Sequence, residues 1–210
     1  MSLKGKTILI TAGPTWVAID SVRVISNIAT GTTGALLARE AAHQGARVSL
    51  VLGSSSQSNH FGKSIRVIHF RFFDELKDIL KHELQNKKYD IIIHSAAVSD
   101  FKPQQRVKRK LSSERTYGFK LVPLEKLIVL IRRLNRKARL VMFKLETDVQ
   151  NQTLMKRARQ AQRRAGADLV VANSLNPYRA LIIDRNGSQV SAGNKQDLAK
   201  KLIKILSKYS

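Results

Sequence analysis

Four polar side chains, Asp20, Arg23, Ser26 and Asn27, fall in one stretch, Ile19 to Gly34, that closes on Gly31-Thr32-Thr33-Gly34. Glycines placed just before a helix let backbone N–H groups approach an anion at the helix's positive end, so this stretch could hold a phosphate. The same G-x-x-G pair would also serve simply to turn the chain. Farther on, Ser95-Ala96-Ala97-Val98-Ser99-Asp100 leaves room for a ligand against the backbone, and Asp100 offers a carboxylate to a hydroxyl, an amine or a metal-bound water. A tight turn with a capping Asp would read the same way. Between Arg106 and Lys120 six basic residues follow with little to bury, as in a mobile flap that covers and neutralises phosphates, or in an exposed basic hairpin. His94 reads as a packed strand-end side chain rather than a catalytic one. No cysteine is present, which excludes disulfides, thiol catalysis and cysteine metal sites.

The elements that must position these residues alternate between strand and helix. Lys6 to Gly13 is a short apolar strand ending in glycine, the usual opening of a dinucleotide-type unit. The helix that should follow at once is delayed until Ala35, so the first connection is long and polar, though Val22, Val24, Ile25 and Ile28 argue against disorder there. Strands are predicted at 47–53, 65–70, 89–94, 138–143 and 168–173, and a polar loop at Ser54 to Lys63. Helices are predicted at 74–85, from Pro123 to Leu134, and from Thr153 to Arg164. A short strand, Thr116 to Leu121, should follow the flap. A hairpin turning at Asn186-Gly187 and an amphipathic helix from Gln196 to Lys208 complete the chain. The fold expected is α/β, Rossmann-like and doubly wound, with a mainly parallel sheet, a basic flap and a C-terminal β-hairpin, in a single domain over residues 1–210.

Composition narrows the partners. With 38 basic against 15 acidic residues the formal net charge is +23, an excess that attracts nucleic acid, anionic membrane or phosphorylated small molecules. The groups on helical patterns, Lys156 to Arg164 and the last helix, also suit solvated faces. No run is long and apolar enough to span a membrane, and no signal-peptide pattern precedes the first strand, so a cytoplasmic location is expected.

In order along the chain, ITAGPT, AIDSVRVISNIATGTTG, HSAAVSDFKP, KLSSE with FKL, MFKLETD and ADLVVANS resemble the synthetase half of the bacterial phosphopantothenate metabolism flavoprotein family, phosphopantothenate-cysteine ligase. The similarity covers nearly the whole chain and lacks the usual flavin-binding decarboxylase half. It implies ligation of 4'-phosphopantothenate to cysteine through an acyl-cytidylate, with CTP in most bacterial members and ATP left open. It also implies Mg²⁺ carried by the triphosphate, no dedicated protein metal site, and a homodimer whose subunits complete each other's sites.

By this resemblance Asn27 holds the acyl carbonyl and cytidylate, and Arg23 orders the loop or meets anionic substrate. Gly13, Gly31 and Gly34 allow close phosphate approach. Ala97 lies against the ligand, Asp100 contacts the nucleotide and Phe143 borders the base. Lys110 matches the flap lysine, with Arg106, Lys108 and Arg109 as neighbours able to fill that role. The chain departs from the family's pattern at Pro14 and Thr32, where glycine and lysine are common, and at Met142 and Ser174, where glycine and aspartate are usual. Met142 is expected to crowd the nucleotide, and Ser174 to remove a charge. Two other readings have weaker sequence support: a basic nucleotide- or nucleic-acid-binding Rossmann-like protein that has lost ligase activity, for which nucleic-acid binding has no recognition motif and few aromatics, and an NAD(P)-dependent reductase, for which the Gly13 to Gly31 spacing is too wide.

Overall fold

The apolar runs of the sequence assemble into one eight-stranded sheet in a computed structural model that describes residues 2–54, 61–147, 149–175 and 177–209. In chain order the elements are β1 (Thr7–Ala12), β2 (Trp16–Ala18), β3 (Val24–Ser26), α1 (Thr32–His43), β4 (Arg47–Gly53), β5 (Ile65–Phe70), α2 (Phe73–Asn86) and β6 (Ile91–His94). Then come β7 (Phe101–Pro103), β8 (Leu121–Pro123), α3 (Leu127–Leu134), β9 (Arg139–Leu145), α4 (Asn151–Ala165), β10 (Leu169–Leu175), β11 (Tyr178–Asp184), β12 (Gln189–Ala192) and α5 (Lys195–Leu206), with a closing 3₁₀ turn at Ser207–Tyr209. The sheet order is β12-β11-β10-β9-β6-β1-β4-β5. Six strands are parallel, and the C-terminal hairpin β11–β12 adds an antiparallel edge. Most of the predicted polar loop lies outside the described residues.

Strand alternation sends side chains to two cores. Ile8, Ile10, Ile91, Ile93, Val141 and Val171 pack with α1 and α5 on one face, whereas Leu9, Ile92, Leu140 and Val170 pack with α2, α3 and α4 on the other. The inner parallel strands are thus apolar on both sides, whereas the edge strand β5 exposes Arg66 and His69. No helix among the described residues is long and apolar enough to cross a membrane.

Outside the main sheet the long first connection folds as an antiparallel ribbon, β2–β3, and the flap rises from a second ribbon, β7–β8. Two expectations are corrected here. The strand after the flap is Leu121–Pro123 rather than Thr116 to Leu121, and α3 begins at Leu127 rather than at Pro123. Pro123 is taken by the ribbon, where it stands opposite Phe101 and where an edge position tolerates the missing N–H. Leu124 N–H then donates to Asp100 C=O at 2.8 Å, which holds the chain extended past the point where a helix could start.

Candidate functional site

The strand order reverses between β1 and β6, and the loops leaving their carboxyl ends are joined there. Ala97 N–H donates to Gly13 C=O at 2.9 Å, and Thr15 N–H donates to Ala97 C=O at 3.2 Å. Gly13 has φ 83°, the left-handed conformation that glycine takes without strain. A buried node locks the same junction: the Thr15 hydroxyl lies 3.0 Å from the Ser99 hydroxyl and accepts Ser99 N–H at 2.8 Å. Onto this platform the ribbon lowers Asn27, whose Nδ2 donates to Ala97 C=O at 3.1 Å and to Val98 C=O at 3.2 Å. Gly13, Asn27 and Ala97 are therefore brought together at the place where doubly wound sheets bind ligands.

Beside the platform α1 begins without a side-chain cap or an acidic residue in its first turn, and Gly31 before it has φ 70°. The Thr32 N–H is directed at the Thr30 hydroxyl at 3.5 Å, and the N–H groups after it suit an anion. Gly34 has a different duty: a Cβ there would lie 2.3 Å from the Ala12 Cβ and 3.0 Å from Ser95 Oγ, so close packing of α1 on β1 requires glycine. Phe143 is half-buried on this same face of the sheet, opposite Val171 in the neighbouring strand. Met142, one residue earlier, turns into the other core and is 8% exposed, so it does not crowd the α1 face. Asn173 Oδ1 and Tyr178 Oη are buried without a hydrogen-bond partner among the described residues. Burial pushes the Tyr178 phenol up. Both side chains stand at the carboxyl edge of the sheet on the Phe143 face, and their orphaned polar atoms suit hydrogen bonds from a base or sugar. Ser174 Oγ donates instead to Pro177 C=O at 3.1 Å.

The flap is tied to the ribbon through Asp20, a buried carboxylate. Its Oδ1 accepts Val22 N–H and Arg23 N–H at 2.7 Å each, and its Oδ2 accepts Leu111 N–H at 3.1 Å and Arg23 Nη1 at 2.6 Å. Burial alone would raise its pKa, but the N–H groups of Leu111, Val22 and Arg23 and the guanidinium outweigh that and hold it far below the usual carboxylate range. Arg23 Nη1 also donates to Leu111 C=O at 3.2 Å, and Val107 N–H to Ile19 C=O at 3.1 Å. Lys110, exposed, directly precedes the anchored Leu111. Asp100 is 60% exposed and pairs with Lys126 at 2.5 Å. Lys144 and Arg157 flank Glu146 at 3.0 and 2.6 Å at the end of β9.

Sequence reasoning named Asn27, Arg23 and Ala97 but missed the Asp20 anchor, Lys126, Tyr178 and the Thr15–Ser99 node. The local turn at Asp20 had a signal, an Asp placed to accept N–H groups two and three residues on. Its reach to Leu111 had none. Among the described residues no group of three or more His, Cys, Asp or Glu side chains could hold a metal ion.

Residues 3–209 match the family model described as the DNA/pantothenate metabolism flavoprotein C-terminal domain. The chain belongs to this family. The Coenzyme A biosynthesis bifunctional protein CoaBC of Thermococcus kodakarensis is 35% identical over 207 residues, covering 96% of this chain and 51% of the relative. The protein of the same name from Borreliella burgdorferi is 32% identical over 213 residues, 97% of this chain and 53% of the relative. The chain thus spans about half the length of these relatives. The crystal structure of the DNA/pantothenate metabolism flavoprotein from Streptococcus pneumoniae superposes with a TM-score of 0.89 at 25% identity, covering 98% of this chain and all of that one. The Cab2 H337A mutant, in complex with phosphopantothenate-cysteine, shares the fold with a TM-score of 0.76 at 22% identity over 97% of this chain and 86% of its own. The flavoprotein C-terminal domain family therefore accounts for the Rossmann-like sheet.

Proposed function

We propose that this chain is a phosphopantothenate-cysteine ligase, one synthetase-like domain over residues 1–210 acting in coenzyme A biosynthesis. The observation that carries the reading is Asn27, docked on the Ala97 and Val98 carbonyls at the strand-order reversal, beside the uncapped start of α1. The pantothenate carboxylate oxygen attacks the nucleotide's α-phosphorus, the bond to the bridging oxygen breaks and pyrophosphate leaves. The cysteine amine then attacks the acyl carbon, loses a proton, and the nucleoside monophosphate departs. Such chemistry draws its driving force from the nucleotide and asks the protein for positioning and charge.

In this reading the N–H groups at the start of α1 and the backbone at Gly13 and Gly31 receive phosphate oxygens. Asn27 Nδ2 already donates to two carbonyls, so an acyl oxygen arriving there takes the place of one of them. Phe143 borders the base, Asn173 and Tyr178 supply its polar contacts, and Lys110 closes from the flap over the reacting phosphates, ordered by Arg23 and Asp20. Asp100 contacts the nucleotide through Oδ2 while Oδ1 keeps its pair with Lys126. Mg²⁺ brought in with the nucleotide would neutralise triphosphate charge, and it would rest on the nucleotide rather than on a protein ligand cluster, since no group of three or more ligating side chains stands among the described residues. CTP is the favoured nucleotide, as in the resemblance, with ATP its competitor. Exposed apolar side chains on the two ribbons and flap, Val22, Ile28, Phe101 and Leu121 at 66, 103, 51 and 46% exposure, support a homodimer formed through this surface.

The test is pyrophosphate release by the purified chain with Mg²⁺, 4'-phosphopantothenate and either CTP or ATP. Release that requires phosphopantothenate is expected. Release indifferent to it, or none with either nucleotide in folded protein, would overturn the reading.

A further inference from the structure

An open groove of about 960 Å³ lies at the opposite end of the sheet from Gly13 and Ala97, under the amino-terminal ends of β1, β6 and β9. Eight of its lining residues are Lys or Arg and two, Asp90 and Asp168, are carboxylates. Both carboxylates are already engaged. Asp90 Oδ2 accepts Thr7 N–H at 2.8 Å, and Asp168 binds Arg132 at 2.7 Å and Arg185 at 3.2 Å. Arg132 also donates to the carbonyls of Arg136 and Ala138 at 3.0 and 2.9 Å, which pins the loop that carries Arg136 and Lys137 at the rim. The exposed side chains of Lys88, Arg136 and Lys137 have no carboxylate partner among the described residues. A rigid scaffold thus presents uncompensated charge where the ligase chemistry has no use for it.

We propose that this groove binds the phosphodiester backbone of a nucleic acid, without sequence preference and independently of the ligase site. Repeated charges along one open depression match a ligand whose own charges repeat. Of the apolar lining residues Leu84, Ile91, Ala138 and Leu206 are buried and Leu134 alone is half-buried, too little for a wedge into a bilayer. Tyr89 is 6% exposed with its hydroxyl 2.5 Å from Glu83, so no ring is presented for base stacking. Contacts to phosphates therefore dominate, and these position a nucleic acid without reading its bases.

The test is fluorescence anisotropy of a labelled 20-base-pair DNA duplex, and of an RNA duplex of the same sequence, titrated with the full chain between 50 and 200 mM salt. Binding of either duplex, with a dissociation constant of about 10⁻⁴ to 10⁻⁶ M near physiological salt, is expected. The triple variant Lys88→Gln, Arg136→Gln, Lys137→Gln should weaken it at least tenfold and lower the slope of log affinity against log salt by about 2 to 3. Its pyrophosphate release should be unchanged. A control of equal charge, Lys156→Gln on α4 with Lys200→Gln and Lys204→Gln on α5, should bind within about twofold of the parent. An equal loss in the control would overturn the proposal, because bulk charge would then suffice. So would polyglutamate binding as tightly as the duplexes, or inorganic tripolyphosphate binding where neither duplex does.

Discussion

The carboxylate of Asp20 accepts the backbone N–H of Leu111 at 3.1 Å, a bond that joins the first ribbon to the flap across 91 residues of sequence. Arg23 completes the clamp from the same carboxylate to the Leu111 carbonyl. Asp20→Ala should therefore free the flap without unfolding the sheet. Turnover should fall between about tenfold and a hundredfold, since misplacing a positioning element carries that order of loss. Hydrogen exchange at Val107 to Leu111 should quicken while that of β1 and β6 stays slow. Unchanged exchange at those amides would remove the clamp.

Lys110 is the exposed residue next to the anchored Leu111. Lys110→Gln should lower kcat about a hundredfold or less and leave thermal unfolding unchanged, consistent with loss of one charge acting on the transition state. Arg106→Gln and Lys108→Gln should each cost less. A larger loss at either neighbour, measured by pyrophosphate release, reassigns the flap role to it.

His94 is buried beside Thr11, whose hydroxyl lies 2.8 Å from Nδ1, and burial lowers its pKa from the ordinary 6.5 to about 4. The unfolded chain binds a proton in that window and the folded chain does not, so stability rises with pH between them. The contribution is whole above about pH 6.5 and is lost as pH falls toward 4, a change of roughly 1 to 3 kcal/mol. Urea unfolding of the parent and of His94→Gln across pH 4 to 7 checks this. The variant should show a flatter profile, and parallel profiles would contradict it.

Ile28 and Phe101 expose apolar surface on ribbons that the sheet does not cover. Phe101→Glu should convert a dimer to monomer in sedimentation and reduce ligation, with the fold intact by circular dichroism. A parent chain that sediments as a monomer at assay concentration would remove the dimer from the reading.

Much of the fold was legible because most core strands are apolar runs, β1 and β4 closed by glycine and β6 by histidine, and the strand-helix alternation allows few topologies. The platform was legible in part: Asn27 was one of four polar residues in an overlong connection, and only the family resemblance singled it out. What closes the site was not, because Asp20 to Leu111 and Asp100 to Lys126 are long-range pairs that no local period encodes. Val22 and Ile28 were read as signs of order, and the connection is ordered, but by the backbone pairing of its ribbon while these two side chains stay on the surface. Met142 was expected to crowd the nucleotide; the register instead turns it into the core under α2, α3 and α4, away from the Phe143 face, because a strand sends successive side chains to opposite sides.

Asn27 offers the most direct test. Asn27→Asp places a carboxylate against the Ala97 and Val98 carbonyls and beside the proposed acyl-nucleotide, which should permit activation but impede transfer to cysteine. Mass spectrometry of a quenched reaction of this variant with 4'-phosphopantothenate, cysteine, Mg²⁺ and CTP should find the acyl-cytidylate accumulating in amounts comparable to enzyme, with ligated product formed at least tenfold more slowly than by the parent. Product at the parent's rate, or no acyl-nucleotide with either CTP or ATP from a variant that folds, would contradict a site built around Asn27.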